Sequence, residues 1–230
     1  MDEAGIDVAM VAGSKSEPPY GRVSNDDVYE LTQDYPGRFV PFAGIDPYEE
    51  DPVGELQRCL GDLGFKGFTM NVGWVKPPLH EDDERLFPIY QKCQEMGGIF
   101  TITKSMLMGP DFSWGRPEAV VRVARAFPAM QIVVIHGGFP YVVETLAAAF
   151  ACANIWISPD VYGYIPNTPG AHEFVRAAHY YLGDRLLFGS CYPIWSMGQA
   201  VDSFREMGFR PDVLEKAFHH NPARLLGLKV

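Results

Sequence analysis

The chain has 230 residues, with 19 Lys and Arg against 29 Asp and Glu, a formal net charge of −10. Hydrophobic residues make up 47 % and charged residues 21 %, which excludes a disordered chain. Acidity without a basic stripe argues against a nucleic-acid binder, and no stretch reaches the roughly 18 to 20 consecutive apolar residues of a membrane span.

The opening Met1-Asp2-Glu3-Ala4-Gly5 lacks the basic-then-apolar profile of a signal peptide. Short apolar runs then recur at residues 8–12, 39–45, 67–72, 99–103, 132–136, 155–158 and 186–189. Most are continuous rather than alternating, the pattern of strands covered on both faces, so a parallel sheet is expected. Stretches of helical period lie between them. Ser24-Asn25-Asp26-Asp27 reads as a cap, and Leu86, Phe87, Ile89, Tyr90 and Cys93 form one apolar face. Pro117 suits a first turn ahead of the face Ala119, Val120, Val123, Ala124 and Phe127. Val143, Leu146, Ala147 and Phe150 form a third face, and Val213, Leu214, Ala217 and Phe218 a fourth, before Asn221-Pro222 as N-cap and first turn. Alternating strand and helix defines an α/β fold. Seven repeats point to a (β/α) barrel or an open doubly wound sheet, and no GxGxxG follows the first strand to support a dinucleotide site. No composition shift divides residues 1–230, so one domain is expected. Cys59, Cys93, Cys152 and Cys191 show no CxxC spacing, so neither a disulfide scaffold nor a zinc knuckle is expected, and the default setting is the reducing cytoplasm.

In barrel enzymes chemistry sits on loops at the C-terminal ends of strands. Those loops hold Trp74, Trp114, Tyr162, Tyr164, Tyr192 and Trp195, suited to a planar substrate. They also hold Lys15, Arg22, Lys76 and Lys104, cations that suit a substrate carboxylate. The competing reading is that the aromatics cap the core and the lysines are solvated. The run at 80–84, His80-Glu81-Asp82-Asp83-Glu84, reads as a solvated helix start.

Several motifs in order carry a family likeness. Arg38-Phe39-Val40-Pro41-Phe42-Ala43-Gly44-Ile45-Asp46-Pro47, Gly64-Phe65-Lys66-Gly67, Ile135-His136-Gly137-Gly138-Phe139-Pro140, Leu187-Phe188-Gly189-Ser190-Cys191-Tyr192-Pro193 and Asn221-Pro222-Ala223-Arg224-Leu225-Leu226-Gly227-Leu228 resemble the amidohydrolase-related family. That family includes aminocarboxymuconate-semialdehyde decarboxylase, resorcylate-type decarboxylases and small-ring hydrolases. The resemblance implies a distorted TIM barrel whose metal is held by a His-x-His pair on strand one, a His on strand five and an Asp on strand eight. This sequence departs from all of these. It begins after strand one, Thr103 falls at the strand-five position, and Cys191 replaces the strand-eight Asp. Seven barrel strands with the first missing are therefore expected.

His136, on the catalytic face, is the candidate general acid/base. Cys191 is either a thiolate paired with His136 or a small apolar replacement for the Asp. Lys104 either stands in for the metal's charge or is a snorkelling lysine. Asp160 is an acid/base or a turn residue. No cofactor is expected; zinc enters only if His136, Cys191 and Asp160 converge. Two functions compete. One is a hydrolase or non-oxidative decarboxylase of a small planar carboxylate. The other is a catalytically silent relative that binds a ligand or serves as a partner subunit. A homo-oligomer is expected in either case, because a missing strand exposes two sheet edges.

Overall fold

The computed structural model describes residues 1–18 and 21–229. In chain order the elements are β1 (Ala9–Ala12), β2 (Ser14–Lys15), β3 (Arg22–Val23), α1 (Asn25–Asp34), β4 (Phe39–Gly44), α2 (Pro52–Gln57), β5 (Gly67–Thr69), α3 (Phe87–Glu95) and β6 (Ile99–Thr103). They continue with α4 (Glu118–Ala126), β7 (Gln131–Ile135), α5 (Val142–Ala151), β8 (Ile155–Ser158), α6 (Val161–Tyr164), α7 (Ala171–Ala177), α8 (Met197–Glu206), α9 (Pro211–Glu215) and α10 (Asn221–Leu226). Parallel strands order as β1-β4-β5-β6-β7-β8, with β2 and β3 a separate antiparallel hairpin. The result is a distorted, open (β/α) barrel.

Strand sequences explain the two layers. In β7 and β8, Ile132, Val134, Ile155 and Ile157 face the helices, while Val133 and Trp156 belong to a second cluster with Val40, Phe42, Ile99 and Leu187. Both strand faces are dry, which is why the runs read as continuous rather than alternating.

Six of the seven apolar runs are strands. The seventh, at 186–189, makes one parallel bridge, Leu186 to Ile157. Beyond it the backbone is engaged elsewhere: Phe188 N donates to Ala217 O at 3.3 Å, and the Tyr164 hydroxyl lies 3.0 Å from the carbonyls of Gly189 and Ser190. The Ser24 cap is real: its Oγ accepts from Asp27 N at 3.0 Å. Asn221 is not a cap. Its side-chain amide donates to the carbonyls of Gly183 and Leu186, fastening α10 to the chain below the seventh run. One helical face is turned. Of its four expected inward residues only Leu146 is buried; Val143 and Phe150 are each 61 % exposed and Ala147 is exposed, while α5 buries Val142, Thr145, Ala148 and Ala149 beside Leu146. Helical period alone does not choose between two apolar faces on one helix.

All four cysteines are free thiols. Among the described residues no helix is long and apolar enough to cross a membrane.

Candidate active site

Three loops at the C-terminal ends of consecutive sheet segments bring His136, Asp160 and Cys191 together. Their candidate donor atoms all lie within 4.8 Å of one another. His136 directly follows β7, and Asp160 stands two residues past β8. Asp160 accepts twice from His136, at Oδ2 from the backbone N–H (3.0 Å) and at Oδ1 from ring Nδ1 (2.8 Å). The imidazole is thereby fixed in orientation; with Asp160 ionised, Nδ1 carries the proton and Nε2 is the nitrogen turned away from the carboxylate.

Backbone conformation marks the same residues. Four described non-glycine residues have left-handed φ, and three of them are His136 (65°), Asp160 (37°) and Cys191 (54°). Such conformations cost about 1 to 3 kcal/mol each and persist where surrounding structure over-determines them. The Gly137-Gly138 turn enforces the one at His136. Both glycines have positive φ, and a Cβ on Gly138 would lie 1.9 Å from Thr145 Oγ1. A larger residue is excluded twice there, by dihedral and by space.

Electrostatics separates the two acids of the site. Asp160 is 2 % exposed, and its pKa is raised, first by desolvation; the hydrogen bond and charge of His136 oppose this. Burial, then the charge of Asp160, pushes the Cys191 thiol up to about 11. A reactive cysteine needs the reverse, a depressed pKa in a positive setting. This geometry favours Cys191 as a filler over Cys191 as a nucleophile.

Aromatic candidates divide. The Tyr162 ring meets His136 edge-on at 5.6 Å and stacks on Phe139 at 4.6 Å, so it walls the imidazole. Trp195 packs against Tyr164 at 6.1 Å, and its buried Nε1 has no protein partner. Tyr192 points outward, 63 % exposed. Trp74 and Trp114 are loop staples: Trp74 Nε1 donates to Leu107 O at 2.7 Å and Trp114 Nε1 to Leu79 O at 2.8 Å, with Trp114 stacked on His80.

Three of the four expected anion anchors are committed elsewhere, and the fourth, Lys76, is exposed. Lys15 pairs with Glu49 at 3.0 Å. Arg22 reaches Glu17, Asp46 and Glu49. Lys104 is buried, pairing with Glu81 at 2.6 Å and donating to Trp114 O at 2.6 Å. Its charge is neutralised within the protein and does not replace a metal's. Glu81 was hidden in an acidic run and is only 2 % exposed, not a solvated helix start. Nothing in the local pattern distinguishes it from Asp82 and Asp83; its partner is 23 residues away.

The fold, with its candidate site at the strand ends, defines a (β/α)-barrel protein. The amidohydrolase family model (Amidohydro_2) matches residues 2–228, and the chain belongs to that family. The 2-amino-3-carboxymuconate-6-semialdehyde decarboxylase of Dictyostelium discoideum is 24 % identical over 239 residues, covering 89 % of this chain and 65 % of the relative. The chain thus spans just under two thirds of that relative's length. An uncharacterised TIM-barrel protein from Bordetella bronchiseptica superposes with a TM-score of 0.93 and 35 % identity, over 99 % of this chain and 80 % of the other. A dihydroxybenzoic acid decarboxylase from Polaromonas sp. JS666, solved with manganese and 2-nitroresorcinol, shares the fold at a TM-score of 0.71 and 20 % identity, over 99 % of this chain and 83 % of the other.

The donors here do not fit manganese, which prefers carboxylate, carbonyl and water oxygens. The set offers one thiol, one imidazole and one carboxylate, and that carboxylate spends both oxygens on His136. Three donors do converge, as a zinc site would require, and metal content tests whether they serve as one.

Proposed function

We propose that this chain catalyses non-oxidative decarboxylation of a small planar carboxylate, with His136 as the proton donor and without the metal of its relatives. The observation that supports this is the His136–Asp160 pair at the barrel mouth, with Tyr162 and Phe139 beside it. Protonated His136 delivers its Nε2 proton to the carbon bearing the carboxylate. The C–C bond then breaks, its electron pair restores the π system, and CO₂ leaves. Asp160 stabilises the imidazolium before transfer, and a solvent proton restores it afterwards. The commitment of Lys15, Arg22 and Lys104 to acids suits this reaction. A cation on the leaving carboxylate stabilises the ground state more than a transition state that is becoming neutral CO₂. The test is ¹³CO₂ release from carboxyl-labelled dihydroxybenzoates and related aromatic acids. Release by the chelator-treated chain is expected; none from any of them would count against the reading.

Asp160→Asn separates function from stability. Turnover is expected to fall by roughly 10²- to 10⁴-fold, because the amide no longer secures the Nδ1–H tautomer or the imidazolium. Stability behaves differently. Burial raises Asp160 above its ordinary 3.8, so the folded state holds that proton more tightly than the unfolded chain does. The contribution of Asp160 to stability therefore falls as pH rises from the unfolded value through the folded one. At neutral pH the Asn variant is expected to melt no lower than wild type. A matched loss of both activity and melting temperature would make Asp160 merely structural.

The second reading, a silent binding or partner subunit, draws on the sheet edge at β1, which among the described residues pairs with β4 alone. A ligand that raises the melting temperature with no turnover would favour it.

A further inference from the structure

The site at the strand ends makes no use of the arginine in the closing 221–228 motif. Most arginines of this chain meet a carboxylate; among the described residues Arg125, Arg185 and Arg224 do not. Arg125 is exposed on α4. Arg185 and Arg224 share a groove of about 470 Å³ at the other end of the sheet, where β7 and β8 begin. Both guanidiniums are held in place. Arg185 Nη1 donates to the carbonyls of Ala149, Cys152 and Ile155, at 2.8, 3.2 and 2.7 Å. Arg224 lies over the Trp156 ring at 5.0 Å, and its Nη2 donates to Asp184 O. The Trp156 ring is fixed in turn, since its Nε1 donates to Gln131 Oε1 at 2.8 Å.

We infer that this groove is a site for a tetrahedral oxyanion, a phosphate group held between the Arg185 and Arg224 guanidiniums. A guanidinium carries five N–H donors and cannot shed its charge. Those on Nε and Nη2 of Arg185, and on Nε and Nη1 of Arg224, have no acceptor among the described residues. Burial first, and then the Arg224 charge against an opposing effect of Tyr181, lowers the Arg185 pKa. Two fixed like charges therefore face one cavity, and an anion between them relieves both. Asp184 also lines the groove, but Lys216 Nζ holds its carboxylate at 2.8 Å. A planar carboxylate matches one guanidinium fork; a phosphate has oxygens enough for two. The ligand is a small molecule, because a net charge of −10 repels a polyanion from the rest of the surface.

Isothermal titration of the full chain at fixed ionic strength tests this, with inorganic phosphate, phenyl phosphate and acetate as probes. Both phosphates are expected to bind about tenfold or more tightly than acetate. Phenyl phosphate tighter than inorganic phosphate would assign a phosphate monoester; equal binding would assign the free ion. Arg224→Met should weaken phosphate binding by about tenfold or more, through lost charge-assisted hydrogen bonds. Arg125→Met, outside the groove, should leave it unchanged. Arg224 also holds a backbone carbonyl, so a second measurement uses the unaltered chain: phenylglyoxal labelling of arginines, read by peptide mass spectrometry. Saturating inorganic phosphate should slow the labelling of Arg224 and leave that of Arg125 as it was. Acetate bound as tightly as phosphate, no saturable phosphate binding, full binding by a folded Arg224→Met variant, or Arg224 labelled equally with and without phosphate would each overturn the inference.

Discussion

Replacing His136 by Asn is expected to lower turnover by roughly 10²- to 10⁴-fold, the usual contribution of a positioned acid, while the fold survives. Asn is the informative replacement because of the backbone. Position 136 sits at φ 65°, where Asn is among the few non-glycine residues tolerated. Its amide also replaces Nδ1 as a donor toward Asp160. What it lacks is an imidazole that can carry and release a proton. Steady-state kinetics beside thermal melting separates the two effects. Unchanged turnover would remove His136 from the mechanism. A collapse of stability would mean that its bonds to Asp160 hold the loop rather than aim the ring.

Lys104→Met is expected to cost about 3 to 5 kcal/mol of stability, because it strands the buried Glu81 without its counter-charge. For a chain of this size that is roughly 6 to 20 °C in melting temperature. Glu81 already has one oxygen, Oε2, without a protein partner, so removing the ammonium leaves the whole carboxylate uncompensated. The variant also frees the loop that Lys104 ties through Trp114 O. The double variant Lys104→Met/Glu81→Gln should recover most of the loss, since a buried pair is worth little more than its neutral replacement. Equilibrium denaturation of both variants measures this. If Lys104→Met melts like wild type yet loses all turnover, the lysine is a catalytic cation after all.

These two residues show how far local sequence carries. His136 was legible because it combines a titratable ring, a Gly-Gly turn and the end of an apolar strand. Its partner Asp160 was legible only as a position, on the loop after the next strand; the double hydrogen bond is a tertiary fact. The charges were misleading for a physical reason. Lys15, Arg22 and Lys104 are on the expected face, but Glu49, Asp46 and Glu81, which pair with them, lie 34, 24 and 23 residues away; only the Arg22–Glu17 contact is near in sequence. The seventh strand was lost similarly. Residues 186–189 have strand composition, but after Leu187 their backbone bonds go to Ala217 and Tyr164, contacts set by the tertiary fold. Apolar runs and helical period located the six true strands, because burial on both faces dictates their composition. The period of α5 located a helix but set its inward face askew: Leu146 is buried, and Val143, Ala147 and Phe150 are exposed.

Metal content tests the central claim most directly: that the His136–Asp160 pair moves the proton without the metal of its relatives. Elemental mass spectrometry on the chain, purified without chelator, is expected to find zinc and manganese far below one ion per chain, with Cys191→Ser no different. One ion per chain that disappears in the Cys191→Ser variant would contradict the account. His136, Asp160 and Cys191 would then be ligands, and the proton would have to come from elsewhere.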